Sequence, residues 1–176
     1  MIFIGIGSNL GDRLENIRKA LYFFEKKNIT LVSVSSIYET PPWGFTEQPP
    51  FLNALALVSA NLSPYALLSR LLEIETLLGR ERRNKWGPRV IDLDILCYRR
   101  IRLEETTLKL PHPHFHERAF VLAPWKELAP NFRVFEKGPT ISDYYNALPV
   151  EELAAIKVFV NCTLKKSPDK NLETLI

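Results

Sequence analysis

Apolar and polar positions alternate along the chain with two different periods. Ile2 to Gly7 is a short apolar run ended by glycine and Ser8-Asn9, which reads as a buried strand and a turn. Asp12 and Glu15 form a helix start signal, and Leu14, Ile17, Leu21 and Phe24 then recur at steps of three and four. That spacing predicts an amphipathic helix over 13–27. Thr30 to Tyr38 is rich in Val, Ile, Ser and Thr and predicts a second strand. The segment 40–50, TPPWGFTEQPP, holds four prolines and a glycine, the composition of a loop. FLNALALVSA, 51–60, predicts a third strand. Ser63-Pro64 pairs an N-cap with a proline at the first helical position. Leu67, Leu68, Leu71, Leu72, Ile74 and Leu78 then make the stripe of a second helix, which Gly79 ends. Residues 80–89 are polar and basic, and VIDLDILCY, 90–98, is strongly strand-like. Residues 99–115 are irregular, with room for a small hairpin. Residues 116–128 predict a helix bent or broken at Pro124, and 140–148 a further short helix.

The order is therefore β-α-β, then β-α-β, then helices. The second and third strands are joined by a loop without a helix, which excludes a doubly wound parallel sheet. The pattern fits an α+β chain of the ferredoxin-like, split β-α-β kind: a four-stranded antiparallel core sheet with helices packed on one face. A length of 176 residues predicts one domain, 1–148. The rest, 149–176, is an appendage: IKVFVNCTL, 156–164, can add an edge strand, and the last dozen residues are polar and loose.

Composition narrows the classes. The chain is 46% hydrophobic and 24% charged, which is ordinary for a globular protein. No apolar run reaches the roughly 18 to 20 residues of a membrane span. The N-terminus lacks the basic region of a signal peptide. Two cysteines, Cys97 and Cys162, suit a reducing cytoplasm. A net charge of +3 is too small to argue nucleic acid but suits an anionic small substrate.

Asp92-Leu93-Asp94 is the sharpest local feature. Alternate side chains of a strand share a face, so both carboxylates point one way, while Ile91, Leu93, Ile95 and Cys97 point to the core. Side by side they repel unless a cation lies between them. Hard oxygen ligands of this kind suit Mg²⁺, which also takes substrate phosphates. The plain alternative is a pair of solvated strand charges. Just upstream lie Arg80, Arg82, Arg83, Lys85 and Arg89, which either form salt bridges or hold a polyphosphate. Trp86-Gly87-Pro88 looks like a lid that excludes water. An RNA-binding module would also use such a loop, but the sheet shows no aromatic pair of the kind those modules carry. A regulatory ligand-binding domain would not need the aspartate pair.

Gly5-Ile6-Gly7-Ser8-Asn9-Leu10-Gly11 sits where a dinucleotide-binding turn would. Three residues separate its second and third glycines, where that fingerprint has two. A tight turn feeding a helix is the reading that fits. His112, His114 and His116 suggest zinc by their spacing, but no cysteine lies nearby. One histidine donating to an anion, with the others on the surface, fits better. Trp43, Phe45, Phe51 and Phe120 are core by default, although a flat heterocycle needs such a pair for stacking.

Assembled, these residues resemble the 6-hydroxymethyl-7,8-dihydropterin pyrophosphokinase family of folate biosynthesis. Residues 85–96, KWGPRVIDLDIL, look like its signature without a gap. Gly7 to Asp12, Tyr38 to Pro42, Phe51 to Ala54, Leu110 to His112 and Arg118 to Pro124 match in order. Position 51 is Phe where some members have Tyr. The resemblance implies transfer of the β- and γ-phosphates of ATP together to the pterin hydroxymethyl group, with AMP released. It implies two Mg²⁺ ions on Asp92 and Asp94, with Arg80, Arg82 and Arg89 in or beside a mobile loop and Trp86 in its lid. It places His112 and Arg118 on the phosphates, and Ile95, Leu108 and Lys109 near adenine. It gives Asn53 a hydrogen bond to the pterin, Phe51 and Phe120 its two faces, and Thr40, Pro41, Pro42 and Trp43 its pocket. The expected partners are these small molecules alone, without nucleic acid or membrane, and the expected state is a monomer or weak homodimer. No residue announces itself as a general base, and none is assigned.

Overall fold

The computed structural model describes residues 1–44, 46–80, 87–161 and 164–165. Phe45, Arg82, Trp86, Cys162 and the tail beyond 165 lie outside the described residues, and so do the expectations placed on them. The elements are β1 (Ile2–Ser8), α1 (Arg13–Lys26), β2 (Thr30–Val34), β3 (Ile37–Thr40), β4 (Phe51–Ser59), α2 (Pro64–Leu77) and β5 (Asp92–Tyr98). A small hairpin follows, β6 (Leu103–Glu104) and β7 (Lys109–Leu110), then a 3₁₀ turn, Phe115–Glu117. The chain continues with α3 (Ala119–Leu128), α4 (Ile141–Asn146), α5 (Val150–Ala154), β8 (Lys157–Val160) and β9 (Leu164–Lys165).

The core of the sheet is the expected split β-α-β. Its order is β5-β1-β4-β2, all antiparallel, with β3 pairing β4 beyond β2. The two helix starts form as read: the Asp12 side chain accepts from Glu15 N, and that of Ser63 from Ala66 N. Strand 30–38 is in fact two strands. At the break, Ser35 Oγ accepts from Leu55 N at 2.9 Å. Ser36 N and Oγ both donate to the Glu127 carboxylate of α3 at 3.0 Å. Side chains take over the ladder there, so the strand turns without leaving buried groups unpaired. The appended β8 pairs with β3, and β9 with β2.

Helices cover both faces of the sheet rather than one. Ile2, Ile4, Ile6, Leu93 and Ile95 pack with α1 and α2 in the first core. Phe3, Leu55 and Leu96 meet α3 and α4 in the second. Phe3 there lies 4.9 Å from both Trp125 and Phe132, ring to ring. Burial of each such side chain contributes about 1.5–3 kcal/mol. α3 continues through Pro124, held by the burial of Leu122, Ala123 and Trp125 around it.

Cys97 also departs from expectation. It belongs to the second core, not to the face of Leu93 and Ile95. Phe3 pairs with Cys97 and Ile4 with Ile95, so Leu96 is an extra residue in β5. Such a bulge flips the alternation beyond it. The Leu96 carbonyl accepts from His112 N at 2.9 Å.

Candidate active site

A cleft of about 800 Å³ opens on the sheet beside the start of α3. Of the residues expected on phosphates and metal, it is lined by Arg80, Arg89, Asp92, Asp94, His112 and Arg118. Of those expected around the heterocycle, Thr40, Pro41, Trp43, Phe51, Asn53 and Phe120 line it. Pro42, Ile95, Leu108 and Lys109 are not among its walls. Ile95 and Leu108 are buried in the first core, and Lys109 pairs with Glu104 on the hairpin at 3.9 Å.

β5 begins at Asp92, and its alternation puts Asp92 and Asp94 on the cleft side while Leu93 enters the core behind. Asp92 is bracketed by guanidinium groups: Arg80 Nη1 lies 2.6 Å from Oδ1, and Arg89 Nη1 2.7 Å from Oδ2. Asp94 lies deeper. Burial, and then the charge of Asp92, raise its pKa to about 7, against the pull of Arg118. Two carboxylates on one face of a strand, the inner one desolvated, suit a cation. Among the described residues no group of three or more histidine, cysteine or acidic side chains could hold a metal. Of the three histidines, His114 and His116 are exposed and both lie near Glu117.

Arg118 is 7% exposed, with its Nε buried and unpartnered. Its guanidinium lies over the Trp43 ring at 4.7 Å and the Phe120 ring at 5.7 Å. It is a desolvated cation aimed into a cavity, the arrangement that favours an anionic ligand. His112 is pushed down to about 4 by burial and then by Arg118, so it is neutral at physiological pH. Its Nδ1 accepts from His114 N at 3.2 Å, which leaves the neutral ring's proton on Nε2, a donor.

The glycine-rich turn after β1 does structural wiring. Ser8 Oγ donates to Val90 O at 2.6 Å. Asn9 Oδ1 accepts from Arg89 N at 2.8 Å, and Asn9 Nδ2 donates to Gln48 Oε1 and Pro49 O. One buried amide therefore joins the arginine-bearing segment to the segment leading into Phe51. Farther in, Asn53 Nδ2 donates to Thr40 Oγ1 at 2.7 Å. A Cβ on Gly7 would stand 2.9 Å from Asn53 Oδ1, so the amide would have to shift to admit it. Glycine is what lets the amide lie against β1. Gly7→Ala is expected to leave a folded protein that is destabilised by the ~1–3 kcal/mol usual for an overpacked site, with the Asn53 amide displaced. Chemical denaturation checks it, and an unchanged stability would mean that the amide yields freely.

Two contributors were given no role by the sequence reading. Glu75 looks like one more polar position on α2, yet its side chain is 3% exposed and bonds to Arg80 and Leu93 N. The signal was its place beside Ile74 on the buried stripe. Asn9 carried a signal only as part of the glycine turn.

Comparison with known proteins completes the picture. The family model for 7,8-dihydro-6-hydroxymethylpterin-pyrophosphokinase matches residues 3–130. A 2-amino-4-hydroxy-6-hydroxymethyldihydropteridine pyrophosphokinase of Methylorubrum extorquens is 44% identical over 130 residues, 73% of this chain and 82% of the relative. The Bacillus subtilis protein of the same name is 44% identical over 127 residues, 72% and 76% of the two chains. A solved HPPK-DHPS of Plasmodium falciparum has a TM-score of 0.67 at 16% identity, over 82% of this chain and 44% of its own, and shows the shared fold. The chain therefore belongs to the 7,8-dihydro-6-hydroxymethylpterin-pyrophosphokinase family.

Proposed function

We propose that the cleft binds ATP with two magnesium ions on Asp92 and Asp94, and the pterin between Phe51 and Phe120. Family membership gives the reaction: pyrophosphate passes from ATP to 6-hydroxymethyl-7,8-dihydropterin in folate biosynthesis, and AMP is released. The observation that carries the reading is one wall of paired carboxylates and arginines meeting one wall of aromatics and a buried amide. A two-carboxylate set fits magnesium, which keeps waters and takes substrate phosphates as further ligands. When bound there, magnesium supplies charge neutralisation on the polyphosphate and on the departing α-phosphate.

The side chains do the rest by position. Arg80, Arg89 and Arg118 bind and orient the phosphates, the last from a desolvated site where its charge acts strongly. His112 donates from Nε2 without adding a charge. Asn53 fixes the rotation of the pterin within the plane that Phe51 and Phe120 define, while Thr40, Pro41 and Trp43 close the pocket against water. The pterin alcohol then faces the β-phosphorus, and its attack becomes effectively unimolecular. The new O–P bond forms as the bond to the bridging oxygen of AMP breaks, which asks for alignment and electrostatics rather than covalent help.

The product identifies the reaction. With Mg²⁺, ATP and 6-hydroxymethyl-7,8-dihydropterin, the expected nucleotide product is AMP, formed only when the pterin is present, as chromatography of the reaction reads directly. Pterin-dependent ADP would overturn the bond assigned to break, and no turnover from a folded protein would overturn the function.

A further inference from the structure

Glu75 is a buried carboxylate to which the reading above gives no task. We infer that Glu75 is a positioning residue that aims the Arg80 guanidinium at the phosphates of the bound nucleotide. The inference deepens the proposed function and rests on it, because Glu75 can act only if Arg80 touches the nucleotide.

The placement begins with how α2 ends. Gly79 has φ +85°, Gly79 N donates to Thr76 O at 3.0 Å, and Arg80 N donates to Glu75 O at 2.9 Å. These two bonds are a Schellman turn, which folds the residue after the glycine back over the last turn of the helix. An apolar pair commonly meets at those two positions. Here the pair is Glu75 and Arg80, and their side chains form an ion pair above the backbone bond. The left-handed glycine is what brings them together.

Glu75 Oε1 also accepts from Leu93 N at 2.8 Å. Leu93 stands between Asp92 and Asp94 on β5, and among the described residues β5 pairs only with β1. On that open side, one oxygen of Glu75 stands in for the missing neighbour strand. The Arg80 Nη1 that it holds also reaches Asp92 Oδ1 at 2.6 Å. A single buried carboxylate therefore fixes an arginine relative to the strand that carries both aspartates.

Stability alone does not account for a charge here. Burial is the largest influence on Glu75 and raises its pKa in spite of Arg80. A neutral side chain of the same shape avoids that penalty. What the carboxylate adds is loss of freedom in a long side chain before the substrate arrives, so that less entropy is lost on binding.

Glu75→Gln keeps the size and the acceptor for Leu93 N and removes the charge that holds the guanidinium. It is expected to lower kcat/KM for ATP about tenfold in the parent chain and less than about twofold in an Arg80→Ala background, the non-additivity of residues acting as a unit. A second readout needs neither nucleotide nor metal. In NMR of the arginine-labelled free protein, the Arg80 side-chain N–H signal should be ordered in the parent and averaged in Glu75→Gln. Equal losses in both backgrounds, an unchanged kcat/KM, or an unaffected Arg80 signal would each overturn the inference. Near-parent turnover from Arg80→Ala by itself would instead remove the role given to Arg80, and the inference with it. Should Glu75→Gln not fold, Glu75→Asp, one methylene shorter, takes its place under the same criteria.

Discussion

Asp94→Asn is expected to lower turnover by about a hundredfold or more, the scale of losing an electrostatic group at a charged transition state. The substitution keeps the shape of the side chain and removes a charge at the buried end of the Asp92–Asp94 pair. Its effect on the free protein should have the opposite sign. In the metal-free fold the Asp94 carboxyl holds its proton up to about 7, whereas an unfolded chain releases it near 3.8. Between those values the folded state binds more protons, so this group makes stability fall as pH rises from about 4 to 7. Asp94→Asn should therefore be more stable than the parent at pH 8 and gain less, or nothing, at pH 4. Chemical denaturation at the two pH values, beside kinetics over a range of Mg²⁺, checks both halves. A folded variant with near-normal turnover at low Mg²⁺ would refute the metal assignment.

Arg118→Met is the second large effect. Methionine fills much of the space of the arginine stem between Trp43 and Phe120 but brings no charge. Affinity for a nonhydrolysable ATP analogue should fall between about tenfold and a hundredfold, as expected for ~1.5–3 kcal/mol from hydrogen bonds to a charged group. Calorimetric titration measures this directly, and unchanged affinity would mean that the buried guanidinium serves the aromatic packing alone. The contrast with Arg89 is instructive. Arg89 already has Asp92 as a partner at 2.7 Å, while the Nε of Arg118 has none.

What could be read in the sequence follows from how local the signals are. Asp92 and Asp94 were legible because a strand has a period of two and their spacing matches it. Both main helices were legible because cap and stripe agree, at Asp12 and at Ser63, and Gly79 adds a terminator to the second. Cys97 was misplaced because a bulge leaves no mark on an apolar run: Leu96 looks like any other strand residue. The break at Ser35-Ser36 was missed because its cause, the Glu127 carboxylate, lies about ninety residues away in the chain. Glu75 was missed for a related reason. Its place on the buried stripe was readable, but its partners were not: Arg80 and Leu93 converge on one oxygen, and no periodicity encodes a meeting of that kind.

The bulge at Leu96 has a consequence for how the chain tolerates change. Because the Leu96 carbonyl holds the His112 backbone, residues 97–111 form an excursion whose two ends are pinned together. The hairpin tip at 105–107 is exposed. Length can be added there at little more than the entropy of a larger ring, about 0.6 kcal/mol for each doubling. The imidazole at the far end does not move with it. A single surplus residue in a strand thus separates a stretch free to drift in length from a side chain whose position is fixed.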